Sequence, residues 1–262
     1  MDAAERAELG RQAEQAGLNA TSPPQESRIE GWLIRLSPGQ AKRARCINAL
    51  ASGELPVEDL LARCASSFHA AGLPLIVRIT PFTQPPELDA LLAAKGWPSY
   101  DAAEVLVRPQ LDDVMGWPLP GGQVLHPVDA LDFARQMGEF KGSSEREVQA
   151  QAERQSQSPV PYQGFWLRRN TIRGWELLAC GQIAREGDWV GLYDIYTPAP
   201  FRGQGHARSL CLALLQQACA QGARRAYLQV GEANAPALAL YRGLGFQHAY
   251  RYHFRSPPQD LG

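Results

Sequence analysis

One stretch constrains this chain more than any other: residues 190–220, VGLYDIYTPAPFRGQGHARSLCLALLQQACA. The β-branched and aromatic residues over 191–197 predict a strand. Pro198 and Pro200 end it, because neither can donate to a ladder. Arg202-Gly203-Gln204-Gly205-His206-Ala207 follows at once. From there Leu210, Cys211, Leu214, Leu215 and Ala218 recur at helical spacing, with Arg208, Gln216 and Gln217 mostly opposite, until Gly222. The chain must therefore run strand, glycine turn, long apolar helix.

Such a turn leaves backbone N–H groups unpaired at a helix start, where the dipole adds to them and an anion is welcome. Gly203 and Gly205 keep side chains away from the main chain, and Arg202 adds a positive charge. A tight connection without any ligand is the bland alternative. The wording is sharper than that: Arg202-x-x-Gly205-x-Ala207 after a strand resembles the R/Q-x-x-G-x-G/A signature of the GNAT acetyltransferases. It is not the dinucleotide fingerprint, and no Lys-Ser/Thr follows as a triphosphate loop requires. The resemblance implies that Arg202, Gly203, Gln204, Gly205, His206 and Ala207 hold the pyrophosphate of acetyl-CoA. The usual lead-in proline is shifted here, in Thr197-Pro-Ala-Pro-Phe-Arg202.

A second pattern lies downstream. Asn234-Ala-Pro-Ala237-Leu-Ala-Leu240-Tyr241-Arg-Gly-Leu-Gly245-Phe246 resembles the family pattern N-x-x-A-x-x-L-Y-x-x-x-G-F at every fixed position. Asn234 suits an N-cap and Pro236 a first turn. By itself Tyr241 reads as core. By resemblance its hydroxyl lies near the CoA sulfur and protonates the departing thiolate, thiol and phenol reference values being about 8.5 and 10. Asn234 and Ala237 likewise border the pantetheine arm. The resemblance also implies that the strand splays near its end, so that amides of Ile195, Tyr196 and Thr197 bond the arm and polarise the thioester carbonyl. Asp194 and Glu232 are the candidate bases for direct attack by an amine, with water relays an equal alternative. Cys180 and Cys211 sit in apolar runs with no histidine evidently placed to activate them, and read as core.

The flanking sequence predicts a helix over 3–16, strands over 31–36 and 44–50 joined by a turn, and a helix over 57–71. A strand over 73–80, a helix over 87–95 and a strand over 104–108 follow. Residues 115–127, rich in Pro and Gly, mark a boundary. Two helices and strands over 164–168, 176–184 and 189–197 come next, then the glycine turn. Laying Gly96-Trp97 on Gly245-Phe246 gives an offset of 245 − 96 = 149, which puts Leu91 on Leu240 and Ile79 on Leu228. We read two pseudo-repeated lobes: 1–115 degenerate, 116–125 a linker, 126–262 catalytic. The expected fold is α+β or α/β, of GNAT type, a mixed and mostly antiparallel sheet flanked by helices. The first lobe has no arginine turn, and Leu92 stands where Tyr241 stands in the second.

Composition decides the remaining classes. The chain of 262 residues is 45% hydrophobic and 20% charged, with 26 basic against 27 acidic residues and a net charge of -1. Nothing global draws it to nucleic acid or an anionic membrane. No apolar run is long enough to span a bilayer, and the first residues do not read as a signal peptide. Five scattered cysteines without a C-x-x-C pair indicate neither zinc nor disulfides, which points to the cytoplasm. The expectation is an acetyl-CoA-dependent N-acetyltransferase acting on a small-molecule amine, with no metal, as a monomer or homodimer. A non-catalytic CoA-sensing or interaction protein is the alternative.

Overall fold

The computed structural model describes residues 2–261. The first half runs α1 (Ala3–Ala20), β1 (Glu26–Ile29), β2 (Trp32–Arg35), β3 (Ile47–Ala49), α2 (Val57–Ala70), β4 (Val77–Ile79), α3 (Leu88–Ala94) and β5 (Ser99–Arg108). The second runs β6 (Gln123–Val128), α4 (Ala130–Lys141), α5 (Glu145–Ser156), β7 (Tyr162–Thr171), β8 (Gly174–Glu186), β9 (Trp189–Tyr196), α6 (His206–Ala220), β10 (Arg225–Gly231), α7 (Ala235–Gly243) and β11 (Gln247–Arg255). The periodicity over 207–218 is realised: Leu210, Cys211, Leu214, Leu215 and Ala218 are all buried, and α6 packs them on β8 and β9. Shifting α2 by 149 gives 206–219, which is α6. The same shift lays β4 on β10, α3 on α7 and β5 on β11. The repeat thus extends through four consecutive elements.

All strands join one sheet, in the order β1-β2-β3-β4-β11-β5-β10-β9-β8-β7-β6. Pairing is antiparallel except at β3/β4 and β9/β10, one parallel junction in each half. The order contains an exchange. The last strand of the first half, β5, pairs with β10 of the second, and the last strand of the second, β11, pairs with β4 of the first. β5 and β11 also pair with each other. Neither half can leave without breaking three ladders, so the sheet is continuous although the sequence is punctuated. The covalent connection, residues 109–122, is shifted from the expected linker over 116–125, because Gln123, Val124 and Leu125 already pair with Arg169, Arg168 and Leu167.

Smaller departures have local causes. The strand expected over 44–50 shrinks to β3 because Lys42–Ala44 forms a 3-10 turn. The strand expected over 164–168 is longer, since β7 runs through Thr171 and pairs it with Gly174. Among the described residues no helix is long and apolar enough to cross a membrane.

Candidate active site

The site is built where β9 leaves its neighbour. Arg225, Ala226, Tyr227 and Leu228 of β10 pair in parallel with Trp189, Val190, Gly191 and Leu192, and the pairing stops there. β9 continues to Tyr196 while β10 stays with β5 as far as Gly231 and Ala103. The edge of β9 facing β10 is therefore unpaired from Tyr193 onward. A bulge helps to part the strands: Gln182 opposes Tyr193 and Cys180 opposes Tyr196, so Gly181 faces both Asp194 and Ile195. Asp194 takes the left-handed region at φ 48°. A Cβ on Gly181 would lie 2.5 Å from Ile195 Cδ1, which is why that strand position is glycine.

At the open end the chain turns into α6. Gly203 (φ 73°) and Gly205 (φ 81°) make the turn, and Gly205 caps the helix without a side chain. Among the described residues, no acceptor takes a hydrogen bond from the main-chain N–H groups of Gly203 through Arg208. Nothing lies within 4 Å of a Cβ built on either glycine, so the concavity is open. Arg202 Nε donates to the Thr197 carbonyl at 3.1 Å, and Gln204 Nε2 donates to that of Pro200 at 3.0 Å. Those bonds brace the turn from outside. The Arg202 guanidinium lies 5.7 Å from the ring centroid of Tyr196 and pairs with no carboxylate among the described residues. His206 is buried: its Nδ1 lies 3.4 Å from Gln123 Nε2, and burial holds it below the ordinary histidine range. Its neutral ring supports the loop from beneath.

Along α7, Asn234 Oδ1 accepts from the Ala237 amide at 3.2 Å, as expected of an N-cap, and the residue is exposed. Ala237 is partly buried against the core. Tyr241 packs its ring into the apolar cluster with Cys211, Leu238 and Phe246, edge-on to Phe246 at 6.0 Å. Burial, with Cys211 adding to it, pushes the phenol above its ordinary range, and its hydroxyl has no hydrogen-bond partner among the described residues. The Cys180 and Cys211 thiols are each pushed up to about 12 by burial, which fits them as core.

Both candidate bases are engaged. Asp194 Oδ1 accepts from Lys141 Nζ at 2.9 Å and Oδ2 from Gln151 Nε2 at 3.4 Å. Glu232 pairs with Arg251 at 2.7 Å, and its amide donates to the Ala102 carbonyl. Sequence reasoning missed Lys141, Gln151, Gln123 and Gly181. A glycine inside an apolar strand run is a signal for the last; the other three carry none.

A parallel strand pair that parts, with an open helix start at its end, is the architecture of the GNAT fold. Residues 132–246 match the Acetyltransferase (GNAT) family. An uncharacterized N-acetyltransferase of Bacillus subtilis, YobR, is 24% identical over 233 residues, covering 87% of this chain and 90% of that one. Another from Escherichia coli K12, YjgM, is 38% identical over 77 residues, 28% of this chain and 46% of that one. A GCN5-related N-acetyltransferase from Kribbella flavida superimposes with a TM-score of 0.68 at 17% identity, over 96% of this chain and 95% of that one. A tandem GNAT protein of clavulanic acid biosynthesis gives 0.60 at 16%, over 94% and 87%. The family match falls in the second half of the chain, and the superpositions over nearly the whole chain show the GNAT fold.

Proposed function

We propose that this protein moves an acetyl group from acetyl-CoA to the primary amine of a small molecule, with residues 126–262 carrying the chemistry. The observation that carries the reading is the run of free amides from Gly203 to Arg208. They converge at a helix N-terminus beside Arg202, in a concavity that no Cβ fills. A donor set of this kind fits a diphosphate. Gly203, Gln204, Gly205, His206 and Ala207 would hold it through their main chain. The free edge of β9 at Ile195, Tyr196 and Thr197 would take the amides of the pantetheine arm, with Asn234 and Ala237 on the other side.

Acetyl-CoA supplies an acetyl group activated as a thioester. The free N–H groups of β9 are fixed by the sheet, so they can polarise a carbonyl without reorganising. Tyr241 is the proton holder assigned to the leaving thiol. With its phenol above the ordinary range, it serves as a hydrogen-bond donor more readily than as a full acid. The proton on the incoming amine must leave through Asp194, Glu232 or water. Lys141 and Arg251 occupy the two carboxylates and so favour water. The test is calorimetry with acetyl-CoA on the wild type and Arg202→Glu, paired with a free-thiol assay over a panel of amines. Tight binding lost in the variant, with amine-dependent thiol release by the wild type, is the expected outcome. Equal affinity in both proteins would defeat the diphosphate assignment.

A further inference from the structure

Beyond the last paired residues, Leu192 and Leu228, the next positions on the two parting arms are Tyr193 and Gln229. Tyr193 shares a 2.7 Å hydrogen bond with the hydroxyl of Tyr227, which places it on the face of the sheet opposite α6. A residue of the other half reaches this point. Arg43, in the 3-10 turn before β3, donates from Nη1 to Gln229 Oε1 at 3.0 Å, and its guanidinium lies 5.8 Å from the Tyr193 ring centroid. One arginine thus touches both arms of the fork at its first open position.

A second guanidinium lies further along the same chain of rings. The Tyr162 ring lies 5.3 Å from that of Tyr193, and the Arg154 guanidinium lies 5.6 Å from the Tyr162 ring. Arg154, on α5, is 6% exposed, and its buried Nη1 has no hydrogen-bond partner. The Tyr162 hydroxyl is likewise buried and without a partner. Neither Arg43 nor Arg154 pairs with a carboxylate among the described residues. The acids on surrounding elements are committed elsewhere: Asp194 to Lys141, Asp101 to Lys42, Glu186 to Asn19, and Glu147 to the cap of α5. A guanidinium withdrawn from water without a counter-ion, as Arg154 is, is costly. A fork of N–H donors matches a carboxylate in shape as well as charge.

We propose that the acceptor is a primary amine that also bears a carboxylate, which Arg43 and Arg154 hold on the face of the fork opposite α6. The proposal rests on the acetyl-transfer reading above. It gives the first half of the chain a direct part in the site: Arg43 comes from that half, and the strand exchange fixes where it stands.

The test compares amino acids whose amine and carboxylate are separated by one to five carbons with alkylamines of matching length, by thiol release at saturating acetyl-CoA. The expected kcat/KM ratio favours the amino acids by about tenfold or more, the scale of one charge-assisted hydrogen bond. In Arg43→Gln the ratio falls towards one, in Arg43→Lys it is partly restored, and acetyl-CoA affinity by calorimetry is unchanged in both. Arg43 is half-buried, so these variants avoid the folding risk of replacing Arg154. Alkylamines used as well as amino acids, or a ratio that ignores Arg43→Gln, would overturn the proposal. Acetyl-CoA binding with no panel amino acid acetylated would also overturn it and leave the transfer reading standing. Failure to bind acetyl-CoA would remove both.

Discussion

Two helix starts in this molecule occupy equivalent places and have opposite fates. Subtracting 149 from Gly203 and Gln204 gives Glu54 and Leu55, in the loop before α2. In the second half those amides are open. In the first they are filled: the Glu30 carboxylate accepts from the Glu54 amide at 2.7 Å and from the Leu55 amide at 2.8 Å. A Cβ on Gly53 would meet Leu60 at 2.9 Å and Glu30 at 3.0 Å, whereas one on Gly203 or Gly205 would meet nothing. The parallel junctions differ in the same sense. At β3/β4 the space is plugged by buried Arg78, bound to Glu14 at 2.5 and 2.9 Å and to Asn48 at 3.4 Å, with Tyr250 donating to Glu14 as well. At β9/β10 the strands part after Leu192 and Leu228. One half supplies its own carboxylate to the helix-start amides, and in the other they have no acceptor among the described residues.

That contrast can be broken at several points. The largest effect is expected from Gly205→Val, which puts a β-branched residue at φ 81° in the open turn. Acetyl-CoA affinity should fall about 100-fold or more by calorimetry, the equivalent of about 2.7 kcal/mol. The wild type should bind one acetyl-CoA per chain; two would mean that Glu30 does not close the first site. Next is the pair at positions 92 and 241. Tyr241→Phe should lower kcat about tenfold to 100-fold with little change in acetyl-CoA affinity, within the usual reach of one proton-handling group. Leu92→Ala, at the matching and fully buried place, should leave kcat/KM per folded molecule alone and cost about 2–5 kcal/mol of stability in denaturant melts. The reverse pattern would show that the two halves had been assigned the wrong roles.

The smallest effect sharpens the comparison through pH. The amides of Leu55 and Glu54 hold the Glu30 carboxyl below the usual carboxylate range. A lowered folded-state value means that the contribution is present above the unfolded value, about 4.3, and is lost as pH falls through the folded one. Glu30→Gln should therefore melt below the wild type at pH 7, and the two melting curves should converge in acid. A gap that persists at low pH would assign the loss to packing. The same variant should gain no second acetyl-CoA site, because the Arg78 plug remains.

Much of this was legible in the chain. Residues 203–207 lie together in any conformation the glycines allow, and the spacing of Leu210, Cys211 and Leu214 fixes a helix face by itself. Asn234 caps α7 through a contact only three residues long. Such features are short-range, so residue order carries them. The offset of 149 was visible for the same reason, since each half repeats the same local pattern.

Tertiary structure decided the rest. Lys141 meets Asp194 across 53 residues and Arg43 meets Gln229 across 186, and no periodicity encodes a partner so far away. Glu30 carries no signal in the residue order, and only the fold brings it to the loop before α2. The strand exchange is the clearest case: β5 and β11 would satisfy the same alternation in their own halves or in each other's. Hydrophobic patterning specifies which face a strand buries but not which edge it pairs with, so register and neighbour are settled only when the whole sheet closes.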